Sequence, residues 1–497
     1  MQCARLTRHS LCNGAKRSMG SLAEGTAARV AAGMPSCDYK PSPYKGLSYD
    51  EMRRVRRDNL SPSLSTYYSE PLLIHEGHMQ WLFDHTGRRF LDLFGGIVTV
   101  SLGHCHPKVR EAAEEQMRKL WHTTNIYMHP KIHEYAERLT QTLPGDLKVV
   151  YFVNSGSEAN DLAMMMARLY TQAFDIVALR NAYHGASPYT AGLTAHSTWK
   201  FPYANGFGIH NAANPDPYLG LWGGHRDSVV QSVRAGESQL LEGGECSSAQ
   251  KYVDQLEEVL TYSIPRGRLA AFFAESIQGV GGTVQYPLGY LKKAFELVRK
   301  HGGLCVSDEV QTGFGRTGDH FWGFECHGVV PDIVTMAKGI GNGFPLAAVV
   351  TTPTVASTMS KALHFNTYGG NPIASAVGIS VLDTMDEDQT QRNCRELGPY
   401  FLSRLAALRA RYPIIGDVRG KGLMLGGDIV EDKDTRKPHH AERIMEVWNG
   451  LKDCGVLVGR GGHYGQVLRI KPPMCITKED IDFTIEAFQE VLGQVCE

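Results

Sequence analysis

Two short apolar runs, each ending in a charged residue, constrain the fold of this chain more than any other feature. Leu304–Val306 leads into Asp308 and Glu309, and Ile333–Met336 leads into Lys338. Short runs of this kind, bounded by glycine and proline, are typical of buried strands in a parallel sheet. Ligands of open α/β sheets bind beside the carboxyl ends of the strands. The sequence therefore predicts an α/β fold in which a carboxylate and an amine face one crevice.

An amine and a carboxylate in one crevice are the pair that pyridoxal phosphate chemistry requires. A lysine forms a Schiff base with the cofactor aldehyde, and an aspartate keeps the pyridine nitrogen protonated, so that the ring accepts electrons. A carboxylate about 4 Å from that nitrogen favours the protonated ring by about 4 kcal/mol at an effective dielectric constant of about 20. We expect Lys338 and Asp308 to take these roles. Taken singly, each is more often an ordinary surface residue.

A second stretch predicts an anion site. The strand-like run Val149–Val153 leads into the small-residue turn Asn154–Asn160, and an apolar helix pattern follows. A helix that begins this way directs free N–H groups and its positive dipole end at one point. Gly156 and Ser157 are the expected phosphate donors. A plain capped helix is the alternative, since serine is a common N-cap.

The motifs around the two charged residues resemble those of the class III aminotransferases. They are DEVQTGFGR at Asp308–Arg316 and AKG at Ala337–Gly339, at the separation usual in that family. The resemblance runs from about Leu72 to the C-terminus. It implies the fold type I of pyridoxal phosphate enzymes, with a mostly parallel seven-stranded sheet in a large domain and a small α+β domain built from both chain ends. The expected segments are 1–40 (transit peptide or disordered), 41–100 (small domain), 101–373 (large cofactor-binding domain) and 374–497 (small domain).

The resemblance also implies cofactor contacts for further residues. Val310 would pack on one face of the ring, and Tyr183 would stack on the other. Gln311 would hydrogen-bond near the ring hydroxyl. His184 would contact the cofactor, and Glu275 would lie beside the carboxylate that faces the ring.

Three more roles follow from the same resemblance. Thr367 would reach the cofactor phosphate of the other subunit, which makes the expected protein a homodimer or a dimer of dimers with a shared site. Arg469 would hold the substrate α-carboxylate, since a guanidinium fork suits a carboxylate bidentately. Gly96 would border the substrate. The chain departs from family patterns at Ser276, where proline is usual, and at Ala186, where branches that use longer ω-amino substrates carry arginine.

The implied activity is ping-pong transamination. Alanine or a related amino acid would give its amino group to glyoxylate, with pyruvate and glycine as products. The alternatives within the family are an ω-aminotransferase of the β-amino acid, ornithine or γ-aminobutyrate type, and a phospho-lyase. A binding or scaffold protein on a decayed fold is the alternative outside the enzymes. The expected partners are therefore small amino acids and keto acids.

The N-terminal segment predicts the location. Its basic residues Arg5, Arg8, Lys16 and Arg17 all precede the first acid, Glu24. This pattern favours a mitochondrial transit peptide, and hence the matrix, over a secretory signal. A basic disordered tail is the alternative.

Composition excludes several other partners. The net charge of −1 gives no support for nucleic acid or an anionic membrane surface. No run approaches the roughly 20 apolar residues of a membrane span. The eleven cysteines are scattered without a C-x-x-C pair, which favours reduced thiols and no zinc cluster.

Several weaker signals remain. Gly313–Gly318 matches the dinucleotide fingerprint G-x-G-x-x-G, but no strand turns directly into a helix there, so no nicotinamide site is expected. His104 and His106 are expected to shape a turn, and no metal site is expected. Segment 193–248 shows no clear period and is expected to be a long loop near the active-site mouth or a subunit interface. A turn is predicted at Glu76–Gly77.

Overall fold

The computed structural model describes residues 24–203, 206–224 and 246–496. The basic residues of the expected transit peptide lie outside the described residues. The strands are β1 (Ile74–His78), β2 (Trp81–Asp84), β3 (Arg89–Asp92), β4 (Val149–Val153), β5 (Asp175–Leu179), β6 (Ile209–Ala212), β7 (Leu269–Glu275), β8 (Leu304–Asp308), β9 (Ile333–Met336), β10 (Ala347–Thr351), β11 (Ile415–Lys421), β12 (Met424–Ile429), β13 (Val456–Leu457), β14 (Gly459–Gly461) and β15 (Val467–Ile470).

The helices lie between these strands and at both ends of the described chain. They are α1 (Glu24–Ala32), α2 (Tyr49–Asn59), α3 (Gly95–Val98, a single turn), α4 (Pro107–Lys119), α5 (Pro130–Gln141), α6 (Gly156–Thr171), α7 (Ser247–Tyr262), α8 (Tyr290–Lys300), α9 (Pro353–Ala356), α10 (Pro372–Glu387), α11 (Thr390–Arg411), α12 (Ala441–Asp453) and α13 (Lys478–Cys496). In the part of the chain that the structure describes, no helix has the length and apolar character needed to cross a membrane.

A seven-stranded sheet with the order β4-β10-β9-β8-β7-β5-β6 forms the centre of the molecule. Strand β10 runs antiparallel to both of its neighbours, β4 and β9. The other neighbouring pairs are parallel. The expected α/β fold with a mostly parallel seven-stranded sheet is therefore confirmed.

The inner strands β7, β8 and β9 of this sheet are buried along their whole length because both of their faces are covered. Successive side chains on a strand point to opposite faces. Phe272 and Cys305 pack in one cluster with residues of α7 and α8, whereas their neighbours Phe273 and Val306 pack in another cluster with α6. Full burial of an aliphatic or aromatic side chain contributes about 1.5–3 kcal/mol. The two-sided core thus fixes the register of the strand ends that carry the charged residues.

Two smaller sheets flank the centre. One has the order β1-β2-β3-β13 and joins residues from both chain ends, since β13 pairs with β3 in parallel. The other has the order β11-β12-β15-β14 and carries Arg469 within β15. Both chain ends therefore contribute to the structure around the central sheet.

The structure corrects two expectations from the sequence. Segment 193–248 is not only loop, because Ile209–Ala212 forms the edge strand β6, paired in parallel with β5. Two of the four residues of β6 are polar, so the sequence shows no strand pattern there. The element is defined by its pairing with β5. Residues 204–205 and 225–245 of that segment lie outside the described residues. The predicted turn at Glu76–Gly77 lies instead within β1, opposite Phe83 and Leu82.

Candidate active site

Three neighbouring strands bring the predicted acid and amine together. Glu275 ends β7 and Asp308 ends β8, and the two residues are partners in the β-ladder. Asp308 is also the ladder partner of Thr335 in β9, and Lys338 follows two residues after that strand ends. Because the three parallel strands end at one edge, the carboxylates and the amine share one crevice.

Lys338 is a partly buried amine in an unusual backbone conformation. Its φ of 56° lies in the left-handed region, which is energetically unfavourable for any residue other than glycine. Residues strained in this way are common at functional sites. Burial and the nearby Arg469 lower the pKa of the amine to about 8, while Asp308 and Glu275 oppose the shift. The neutral, nucleophilic form of this lysine is therefore accessible near physiological pH.

Asp308 is held in place by three donors. Its Oδ2 accepts hydrogen bonds from His184 Nδ1 at 2.8 Å and from Asn160 Nδ2 at 2.9 Å. Its Oδ1 accepts the backbone N–H of Val310 at 3.1 Å. Burial alone would lower the pKa of His184, but the hydrogen bond and charge of Asp308 outweigh it, and the pKa is raised. The carboxylate is thus fixed in orientation and backed by a histidine that gains a proton readily.

The second buried carboxylate, Glu275, is held by backbone groups. Its side chain accepts the N–H of Tyr183 at 3.2 Å and the N–H of Gly279 at 2.7 Å. Burial raises its pKa, and the neighbouring charge of Asp308 raises it further. The neighbouring Ser276, where proline is usual, donates its hydroxyl to Glu309.

Asn160 was missed by sequence reasoning. It lies on α6 one turn after Gly156, so its side chain points into the same crevice as the helix start. Its Nδ2 also donates to the backbone oxygen of His184 at 2.8 Å, and its Oδ1 accepts the Thr335 hydroxyl at 2.8 Å. A polar residue at i+4 from the expected phosphate donor, inside an apolar helix, was the available signal.

The predicted anion site forms at the N-terminus of α6. Ser155 caps the helix by accepting the N–H of Glu158 at 3.3 Å. A side chain at Gly156 would place its Cβ 3.2 Å from Val310, so glycine keeps this space open. The Ser157 hydroxyl accepts the N–H of Ala186 at 3.2 Å. A free helix start beside Val310 can receive a phosphate.

Arg469 and Gln311 meet on another side of the crevice. Arg469 Nη2 donates to Gln311 Oε1 at 3.0 Å, and the guanidinium lies 5.2 Å from the centre of the Phe94 ring. Burial lowers the pKa of Arg469 to about 10, although the carboxylate of Glu275 opposes the shift. Its Nε is buried and has no hydrogen-bond partner within the described ranges. This arginine therefore has donor capacity left for a carboxylate.

The remaining predicted residues lie at the edge of the crevice or outside it. Tyr183 is half-buried, and its ring packs edge-on against Trp199 at 5.2 Å. Gly96 is exposed within the α3 turn. Thr367 is exposed in the segment before α10. Thr367 therefore lies on the surface of the chain and not in the crevice that holds Lys338 and Asp308 of the same chain.

The two histidines near α4 each contact one carboxylate. His104 Nε2 lies 2.8 Å from Asp92 Oδ2, and His106 Nε2 lies 2.9 Å from Asp388 Oδ2. Among residues 24–203, 206–224 and 246–496, no three His, Cys, Asp or Glu side chains form a group that could hold a metal ion. The histidines connect loops of the fold.

Comparison with known proteins identifies the family of this site. The model of the family "Aminotransferase class-III" matches residues 65–492. Human mitochondrial alanine–glyoxylate aminotransferase 2 is 51% identical over 464 residues, which cover 93% of this chain and 90% of that protein. The chain belongs to the class-III aminotransferase family.

Solved structures agree with this assignment. An (S)-enantioselective ω-transaminase from Thermomicrobium roseum is 30% identical, with a TM-score of 0.80, and the match covers 91% of this chain and 100% of that one. An amine transaminase from an uncultivated Pseudomonas species, solved with pyridoxal phosphate bound, is 29% identical. Its TM-score is 0.79, and the match covers 88% of this chain and 99% of that one.

Proposed function

We propose that this chain is a pyridoxal phosphate-dependent aminotransferase that transfers the amino group of alanine, or a related donor, to glyoxylate, forming pyruvate and glycine. The observation that carries the proposal is the Lys338 amine with its lowered pKa, beside Asp308 at the ends of adjacent strands. The 51% identity with the human alanine–glyoxylate aminotransferase supports this substrate pair.

The side chains in the crevice fit pyridoxal phosphate. Gly156 and Ser157 at the start of α6 would hold the phosphate. His184 Nε2 is buried and has no partner among the described residues, and Asp308 presents a carboxylate of fixed orientation. The side chain of Val310 lies close to Gly156 and would pack on one face of the ring. Tyr183 would cover the opposite ring face, and Gln311 would face the ring hydroxyl.

In this proposal each group has one task. The bound cofactor supplies an aldehyde that attaches the amino group and a ring that accepts electrons. Asp308 keeps the ring nitrogen protonated. Lys338 would hold the cofactor, and its Nζ would move a proton to and from the substrate α-carbon. Arg469 holds the α-carboxylate, and Gly96 borders the substrate beside it.

Alanine and glyoxylate fit better than longer ω-amino substrates. Ala186 takes the place of the arginine found in branches that handle those substrates, and its side chain is exposed. Without that arginine, the chain offers no cation at this position for a distal carboxylate. Arg469 is therefore the proposed anchor for the single carboxylate of either substrate.

We also propose a homodimer whose partner subunit completes the cofactor site through Thr367. Large apolar residues are exposed in two neighbouring segments, 120–128 and 363–368, in which Met128 is 88% exposed and Trp121 is 65% exposed. Rings of His122 and Tyr368 connect the segments, with centroids 5.5 Å apart. A cavity of about 330 Å³ extends from there to Asn154, close to the phosphate donors. Exposed apolar surface of this extent supports a protein interface.

The proposed location is the mitochondrial matrix. The human relative is named as mitochondrial, and the first 23 residues of this chain are rich in basic and small residues without an acid. A fusion of residues 1–40 to a fluorescent protein should enter mitochondria. Uniform cellular fluorescence would reject a transit peptide.

The test of the activity is a donor panel on purified protein loaded with pyridoxal phosphate. Alanine with glyoxylate should give equal amounts of pyruvate and glycine. β-Amino acids, ornithine, γ-aminobutyrate and a phosphorylated amine test the alternatives.

Lys338→Ala should lose the borohydride-reducible lysine adduct and at least about a thousandfold of the turnover. A variant that keeps both would reject Lys338 as the attachment site.

A further inference from the structure

The fully buried amine of Lys471 takes no part in the chemistry described above. Its side chain is 0% exposed, directly after β15 and two residues beyond Arg469. Its Nζ lies 3.3 Å from Gln311 Oε1 and 3.4 Å from the backbone oxygen of Gly279. Both acceptors are neutral, and a buried amine without a carboxylate partner costs free energy.

The contacts of Lys471 determine which way the amide of Gln311 points. Gln311 Oε1 accepts from Lys471 Nζ and from Arg469 Nη2, at 3.3 Å and 3.0 Å. With the amide reversed, its NH₂ group would face two donors, which repel it. The Gln311 amide lies directly against the backbone of Gly279, and only glycine permits this contact, because a Cβ there would lie 2.3 Å from Gln311 Oε1. The Gln311 Nε2 donor therefore points away from both of these donors.

We propose that Lys471 is a positioning residue that, together with Arg469, locks the Gln311 amide so that its Nε2 faces the hydroxyl oxygen of the bound cofactor ring. The inference rests on the proposed function, since it assigns a task to a residue behind that site. Lys471 does not touch substrate, because its amine is enclosed by Gln311 and Gly279. The charged groups around it are Arg469, Glu275, Lys338 and Arg316.

The visible absorption of the bound cofactor and the pH at which it titrates report this hydrogen bond. A hydrogen-bond donor at the ring oxygen lowers the basicity of that oxygen. Loss of the donor therefore raises the pH midpoint of the cofactor titration. In full-length protein loaded with pyridoxal phosphate, Lys471→Met and Gln311→Leu should each raise the midpoint by about 0.5–1 pH unit. In the Gln311→Leu background, Lys471→Met should add nothing, because the amide that it positions is gone.

Controls separate positioning from other roles. Lys421 is also buried, pairs with Asp319, and lies outside the crevice, so Lys421→Met should leave the midpoint unchanged. Lys471→Gln serves where methionine prevents folding and should shift the midpoint in the same direction. Equal shifts for Lys471→Met in both backgrounds would show that the charge acts directly and would overturn the inference. The inference is also overturned if the Lys471 variants titrate with the midpoint of the wild type, or if neither Lys471 variant folds.

Failure of the proposed function can be distinguished from failure of the role proposed for Lys471. If the wild-type protein takes up no pyridoxal phosphate, the cofactor assignment is wrong. If it takes up the cofactor and the Lys471 variants titrate as the wild type does, only the role of Lys471 is wrong.

Discussion

Burial of the Lys338 amine destabilises the folded chain as long as the amine is charged. Its pKa is about 8 in the folded chain and 10.5 in the unfolded chain. Between these values the unfolded chain binds more protons, so the contribution of this residue to stability rises with pH across that interval. Below pH 8 its burial costs on the order of 3 kcal/mol.

Lys338→Met should therefore raise the melting temperature of the cofactor-free protein at pH 7, by a few degrees. The difference from the wild type should shrink as the pH rises from 8 to 10.5. Thermal unfolding of both proteins across this range measures it. A difference that does not change with pH would show that packing of the methionine, not the charge, is responsible.

Single residues could be predicted from the sequence where a local pattern carried their role. Asp308 ends a strand, and Lys338 and Gly156 lie within three residues of a strand end. A charge or a small residue at such a place is visible in one short stretch. Asn160 and Lys471 were not predicted. Asn160 acts on Asp308, 148 positions away, and Lys471 acts on Gln311, 160 positions away. No local pattern encodes contacts of that kind.

Among the strands too, those with a clear local pattern could be predicted from the sequence, and those defined by pairing with another strand could not. The strands β4 and β9 were predicted with their observed bounds, because each is a short run of apolar and β-branched residues. The edge strand β6 was missed, since it has one neighbour and two polar residues. The β1 strand crosses the Glu76–Gly77 pair, whose composition favours a turn, because pairing with β2 stabilises the extended backbone.

The α3 turn is an element that no sequence pattern predicted. Gly95, Gly96, Ile97 and Val98 all have φ between 55° and 64°, which makes the turn left-handed. Such a conformation costs about 1–2 kcal/mol for each residue with a Cβ. Hydrogen bonds at its start hold it, because Asp92 Oδ1 accepts the N–H groups of Phe94 and Gly95 at 2.8 and 3.0 Å.

Replacement of Ile97 by glycine should relieve this strain. Glycine adopts positive φ freely, and the side chain of Ile97 is 39% exposed, so little packing is lost. We expect Ile97→Gly to be neutral or to stabilise the protein by up to about 1 kcal/mol in urea unfolding. Val259→Gly in the α7 helix is the control and should destabilise by about 1 kcal/mol. Destabilisation of equal size at both sites would contradict a strained turn.

At the scale of the whole molecule, a cavity of about 330 Å³ lies between segments 120–128 and 363–368 and reaches Asn154. In one chain these segments expose Met128, Trp121 and Tyr368 to water, close to the cavity that leads to Asn154. Exposed apolar surface of this kind is costly unless another protein covers it. A second copy would bury these side chains and bring its Thr367 to the phosphate donors of the first.

A charge at the centre of this surface should separate the subunits and empty the site. Met128→Asp should shift the mass measured by light scattering from dimer to monomer, because an unpaired buried carboxylate costs several kcal/mol at an interface. Since the partner's Thr367 would leave with it, the variant should also lose bound pyridoxal phosphate on gel filtration. Tyr262→Asp is the matched control, since Tyr262 is 85% exposed on α7, outside the two segments. A monomeric variant that keeps its cofactor would show that each chain holds the phosphate alone, and a variant that stays dimeric would place the interface elsewhere.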